Sequence, residues 1–149
     1  TGVITSLNTG VSTLQNGDWH CEALIRSMVN GDLDVIAEKV IKVASSVGFK
    51  DDCSDRYSAW EYNAVSPLRD KMVEVYEKKF GKKPIVSTIH AGLECGILSG
   101  AYPNWDMVSF GPTLMRPHSP DEGAYIPSVG KVWEYLQAVL KSIPECEKK

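Results

Sequence analysis

The sequence has no excess of positive charge. Sixteen Lys and Arg stand against nineteen Asp and Glu, a net charge of −3. With no basic field to hold a phosphate backbone, nucleic-acid binding is not expected. Long apolar runs are missing too. None approaches the ~18–20 residues needed to cross a bilayer, so no membrane span is expected. No charged-then-apolar leader is visible, and nothing reads as a secretion signal. Paired cysteines are also lacking: Cys21, Cys53, Cys95 and Cys146 are irregularly spaced with no C-x-x-C. That spacing argues against a structural zinc site built from thiols. At 43% hydrophobic residues the chain has no need of disulfide staples, so reduced thiols in a cytoplasmic protein are expected. The opening Thr1-Gly2 lacks a methionine and runs straight into strand-like sequence. A removed segment or a larger parent protein is the expectation.

What is present reads as α/β, in two pieces. Val3 to Leu14 is rich in Val, Ile and Thr, and Asn16-Gly17 supplies the positive-φ pair of a type I′ hairpin turn. Trp19 to Met28 then alternates. Trp19, Cys21, Ala23 and Ile25 are expected to face a core, while His20, Glu22, Leu24 and Arg26 face solvent or a site. Asn30-Gly31-Asp32 opens a helix with a stripe of Leu33, Ile36, Val40, Val43 and Val47, ended by Gly48. Residues 49–60 are expected to return as a polar strand. The order β-β-α-β is half of a ferredoxin-like sheet.

The composition changes near residues 61–66, which places a lobe boundary between 1–62 and 63–149. Ser66-Pro67 is a helix start, with Ser as N-cap and Pro in the first turn, and Gly81 is the stop. Strands are expected at 84–90 and 106–111, and a helix at 128–143. That helix carries an apolar stripe of Val132, Trp133, Leu136, Val139, Leu140 and Ile143. The alternation is α/β layering.

Three stretches can carry chemistry. Pro117-His118-Ser119-Pro120 holds a histidine in a proline-stiffened loop after a strand, a frame that suits a metal or a proton at fixed geometry. Read alone, it serves equally as a surface histidine. His90-Ala91-Gly92-Leu93-Glu94-Cys95-Gly96 places glycines where backbone can approach a ligand, or where a tight strand-to-helix turn needs them. Cys95 with His90 as base is a rival, but Gly96 lies directly beside Cys95, so the spacing of a nucleophile elbow fails. Arg26 ends a strand and could clamp a carboxylate in two-pronged fashion, or simply sit on a solvated face. Trp60, Tyr102, Trp105 and Trp133 read as packing residues, and Asp121 and Glu122 as loop and cap residues.

Together, Ile89 to Gly96, Asp106 to Pro112 and Pro117 to Glu122 resemble the carboxyl-terminal signatures of bacterial aminoacyl-histidine dipeptidases. These are zinc peptidases of the carnosinase/aminoacylase type. Ser6-Leu7-Asn8 and Leu24-Ile25-Arg26-Ser27 resemble the second half of their lid domain. The resemblance implies half a lid over 1–62, then the end of a catalytic α/β domain over 63–149. It also implies a cytoplasmic homo-oligomer that hydrolyses small Xaa-His dipeptides. A pair of zinc ions shares a water there, lowering its pKa and polarising the scissile carbonyl. By this resemblance His118 is a metal ligand, Arg26 holds the substrate, and Gly92 and Glu94 line its site.

The family's other ligands are not in the sequence, which contains neither His-x-Asp nor Glu-Glu. A catalytic zinc takes about three protein ligands, so one imidazole is not enough. The chain by itself is therefore expected to be inactive, and its partner to be a missing amino-terminal catalytic half. A binding or assembly module that kept the fold without the metal is the alternative.

Overall fold

The computed structural model describes residues 2–53, 55–90 and 93–144. Its chain divides into two compact units, Thr1–Ala64 with Ser87–Trp105, and Val65–Val86 with Asp106–Lys149. The expected mixed α/β class holds, with four helices and two small sheets among the described residues.

In the first unit, β1 (Thr5–Gln15) pairs antiparallel with β2 (Asp18–Ser27) around the expected turn. Asn16 and Gly17 take φ of 53° and 90°, the left-handed values a type I′ turn demands. A register shift between Thr9 and Val11 leaves Gly10 unpaired as a bulge. Helix α1 (Asn30–Ser46) follows. Its packed face is Leu33, Ile36, Ala37, Val40, Ile41 and Ala44, whereas Val43 and Val47 are about two-thirds exposed. The expected stripe therefore drifts off the packed face at Val43 and Val47, where Ile41 and Ala44 take the covered side. The expected core face of β2 also needs correcting. Only Ile25 is half-buried, while Trp19, Cys21 and Ala23 are exposed. A two-stranded ribbon has too little beneath it to cover a whole face. Trp19 finds local partners instead, packing edge-on to Phe49 and donating to Ser12 Oγ at 2.8 Å.

Contrary to the expected strands at 49–60, 84–90 and 106–111, the described residues of these segments form none. A strand exists by its ladder bonds, and among the described residues none of these segments has a partner strand. The β-β-α-β expected over 1–62 is accordingly β-β-α, its last strand absent from the 49–60 segment among the described residues. That segment is still tied down: Asn30 Oδ1 accepts from the Ala59 N–H at 2.8 Å, and Glu61 Oε1 accepts from the Asn30 N–H at 2.7 Å.

The second unit is built on α2 (Pro67–Phe80) and α4 (Ile126–Ser142). Helix α2 has the expected ends. Ser66 Oγ accepts from the Arg69 N–H, and Gly81 closes the helix in the left-handed region at φ 69°. Asp106, far along the chain, reinforces the start. Its carboxylate accepts from Ser66 Oγ at 2.6 Å and from the Leu68 N–H at 2.8 Å, where the helix dipole favours negative charge. Met72, Val75, Tyr135 and Val139 form the core, flanked by Leu68, Tyr76, Phe80, Val108 and Ala138. Tyr135 donates its hydroxyl to the Met72 carbonyl at 2.7 Å, and burial pushes its phenol pKa up. The α4 stripe is rotated from the expected one. Trp133 and Leu140 are about 60% exposed, and Tyr135 takes the buried place.

Both cores are thin. The chain exposes 12093 Å², whereas even two separate compact units of half its mass would together expose about 9,000 Å².

Candidate functional site

Arg26 lies at the end of β2, directly opposite Ser6 on β1. It is exposed, and among the described residues its guanidinium has no hydrogen-bond or ion-pair partner. The strand end that carries it is well fixed. Thr5 Oγ1 meets Ser27 Oγ at 2.9 Å and donates to Asp32 Oδ2 at 2.9 Å, and the Met28 N–H donates to the Ile4 carbonyl at 2.9 Å.

Beside Arg26 a cavity of about 10 Å³ is lined by Leu33, the 57–60 segment, Leu93 and Gly96. That is the space of a single water. Helix α3 (Glu94–Ala101) reaches the cavity with its amino end. The helix starts without a side-chain cap; its Gly96 N–H already donates to the Leu93 carbonyl at 2.9 Å, and Glu94 places a carboxylate in its first turn. Two glycines bring α3 this close. A Cβ at Gly96 would stand 2.8 Å from the Ser58 carbonyl oxygen, and one at Gly100 would stand 2.5 Å from Ser58 Oγ. Gly96→Ala should therefore cost about 1–3 kcal/mol of stability through overpacking. A urea unfolding midpoint equal to that of the unsubstituted chain would disprove the close approach.

Glu94 is the first residue of α3 and is exposed. Gly92 lies outside the described residues. Cys95 is half-buried, and burial, aided by the Glu94 carboxylate, pushes its thiol pKa up. That is the wrong direction for a nucleophile. Among the described residues no hydrogen bond links His90 to Cys95; His90 Nε2 is bonded instead to Ser6 Oγ at 2.7 Å. The thiol-hydrolase reading finds no support in this geometry.

In the second unit, His118 sits in a loop between β3 (Leu114–Met115) and β4 (Gly123–Ala124). Backbone φ is 49° at Arg116 and 63° at His118. The left-handed region costs a residue with a Cβ roughly 1–2 kcal/mol. Internal bonds hold the loop there. The His118 N–H donates to Glu122 Oε2 at 2.7 Å, Arg116 pairs with Asp121 at 3.1 Å, and Ser119 Oγ donates to the Arg116 carbonyl at 2.8 Å. Asp121 and Glu122 are thus braces of the loop. The His118 side chain is exposed, and no hydrogen bond engages its ring among the described residues.

The described residues bring no three His, Cys, Asp or Glu side chains together as a metal cluster. His118 offers one imidazole, which does not by itself fit a zinc pair. Sequence reasoning missed three contacts: Asp106 on the α2 start, Glu122 on the His118 loop, and Ser6 on His90. The first and last join residues 40 and 84 positions apart. Only the Asp121-Glu122 pair gave a local signal.

No protein-family model matches the chain. It is 41% identical over 144 residues to the cytosol non-specific dipeptidase of Escherichia coli (strain K12), covering 96% of this chain and 30% of that protein. The crystal structure of aminoacylhistidine dipeptidase from Vibrio alginolyticus superposes with a TM-score of 0.76 at 40% identity, covering 98% of this chain and 30% of that one. The chain thus spans about a third of the length of the relatives it matches. Along that length the resemblance to bacterial aminoacyl-histidine dipeptidases holds in sequence and in backbone.

Proposed function

We propose, from a match to two named dipeptidases over nearly its whole length, that this chain is one part of a zinc-dependent dipeptidase. The enzyme would act in the cytoplasm on Xaa-His dipeptides. The observation that carries the reading is Arg26, an exposed guanidinium without a partner among the described residues, beside the uncapped amino end of α3. A free guanidinium suits a small carboxylate, which it binds through parallel N–H bonds. Gly92 and Glu94 would line the same site. His118 would supply one neutral imidazole to the metal, on a loop already set in place. Zinc in such an enzyme activates a water toward the scissile carbonyl. Most of its ligands would come from outside this chain.

The large exposed surface supports the same reading. Val129, Trp133 and Leu140 on α4, and Leu7, Val11 and Leu24 on the hairpin, are apolar and uncovered. A missing catalytic half, together with a second subunit, would bury them. No described helix is long and apolar enough to cross a membrane.

The absence of a three-ligand cluster among the described residues favours one second reading, a binding or assembly module without chemistry. Assaying the purified chain of 149 residues with zinc and an Xaa-His dipeptide, beside a full-length enzyme carrying the same sequence, decides between them. The chain alone should bind zinc poorly and hydrolyse nothing, while the full-length protein turns over. Stoichiometric zinc and turnover by the chain would overturn the division of ligands. A full-length protein with no peptidase activity would leave the module reading standing.

A further inference from the structure

His90 has no place in the reading above, yet its environment is unusual. Its Nε2 is bonded to Ser6 Oγ at 2.7 Å, across 84 positions of sequence. Its Nδ1 is buried and finds no partner among the described residues. A buried polar atom without a partner is costly, and an aliphatic side chain would fill the space without that cost. The imidazole is therefore explained by the bond it makes rather than by packing. That bond falls on Ser6, the residue directly opposite Arg26 in the β1–β2 ladder. Residues opposite one another in an antiparallel pair share a face, so the Ser6 hydroxyl and the Arg26 side chain leave the ribbon on the same side. On the other side, Thr5, Ser27 and Asp32 form their own clamp. The strand end that carries Arg26 is thus held from both faces, and His90 supplies one of the two holds.

We propose that His90 is a positioning residue for substrate recognition: through Ser6 it sets where Arg26 presents its guanidinium to the substrate carboxylate. The proposal deepens the functional reading above and rests on its assignment of Arg26. No proton or covalent step is assigned to His90. Its contribution is geometric, because a two-pronged contact weakens quickly when the arginine's base is free to shift.

The test uses the full-length enzyme, with kcat and KM measured on an Xaa-His dipeptide and on its carboxamide, which lacks the terminal charge. His90→Ala should raise KM for the free acid about tenfold and leave the carboxamide within about twofold, the size of one well-placed hydrogen bond. Ser6→Ala, which removes only the hydroxyl, should reproduce this and keeps the test decisive if His90→Ala folds poorly. His90→Gln, whose amide nitrogen reaches roughly as far as Nε2, should restore the free-acid KM, and His90→Asn should not. In an Arg26→Ala background, His90→Ala should add nothing, since both act on one contact. Equal losses on acid and carboxamide in both single variants would mean a merely structural role and overturn the proposal. No change in either variant would also overturn it. If Arg26→Ala itself fails to separate acid from carboxamide, the assignment of Arg26 falls and takes this proposal with it. If Arg26→Ala separates them and His90→Ala and Ser6→Ala do not, only the proposal for His90 falls.

Discussion

His118→Ala in the full-length enzyme should lower kcat on an Xaa-His dipeptide by on the order of a thousandfold and release one zinc per site. The expected size follows from what the loop supplies. One imidazole, presented at φ 63° and braced through Glu122 and the Arg116–Asp121 pair, has no substitute nearby among the described residues. Removing it leaves the loop intact, because the braces act on backbone and on other side chains. Folding and KM should therefore change little while metal content and turnover fall. Unchanged zinc stoichiometry, measured by metal analysis of the purified variant, would refute the assignment even if activity dropped.

Arg26→Ala should cost about 3 kcal/mol in recognition of the free acid, which is ~10²-fold in kcat/KM. Charge-assisted, two-pronged bonds are the stronger kind, and they are lost together with the arginine. The carboxamide substrate never makes them in full, so it should lose much less. Arg26→Lys should recover only part of the loss, because an ammonium has the charge but not the planar fork. Equal kcat/KM for acid and carboxamide in the unsubstituted enzyme would remove the basis for this prediction.

The parts of the fold that were legible in sequence are those settled locally. Asn16-Gly17 names its own turn, and Ser66-Pro67 and Gly81 name both ends of α2. The failures occur where a distant neighbour decides. Residues 84–90 and 106–111 have strand-like composition, yet a strand needs another beside it. Val43, Val47, Trp133 and Leu140 are apolar at helical spacing, but periodicity cannot say how far along a helix its neighbour extends. The candidate site divides in the same way. Arg26 and His118 stood out by residue type and motif. The tertiary contacts around them, Ser6 with His90 and Gly96 with Ser58, lie beyond any local pattern.

The thin cores have a consequence for any unfolding experiment on the chain alone. Denaturant slope and heat-capacity change both scale with the surface that unfolding newly exposes. With 12093 Å² already in water, unfolding releases only about three-quarters of the surface that a compact chain of this mass would release. Urea transitions should be shallow for this length, and the stability curve flat and broad with temperature. Heating would then produce a drawn-out melt whose midpoint is hard to locate, although each kilocalorie moves it further because the unfolding entropy is small, so local hydrogen-exchange protection is the more discriminating readout for the isolated chain.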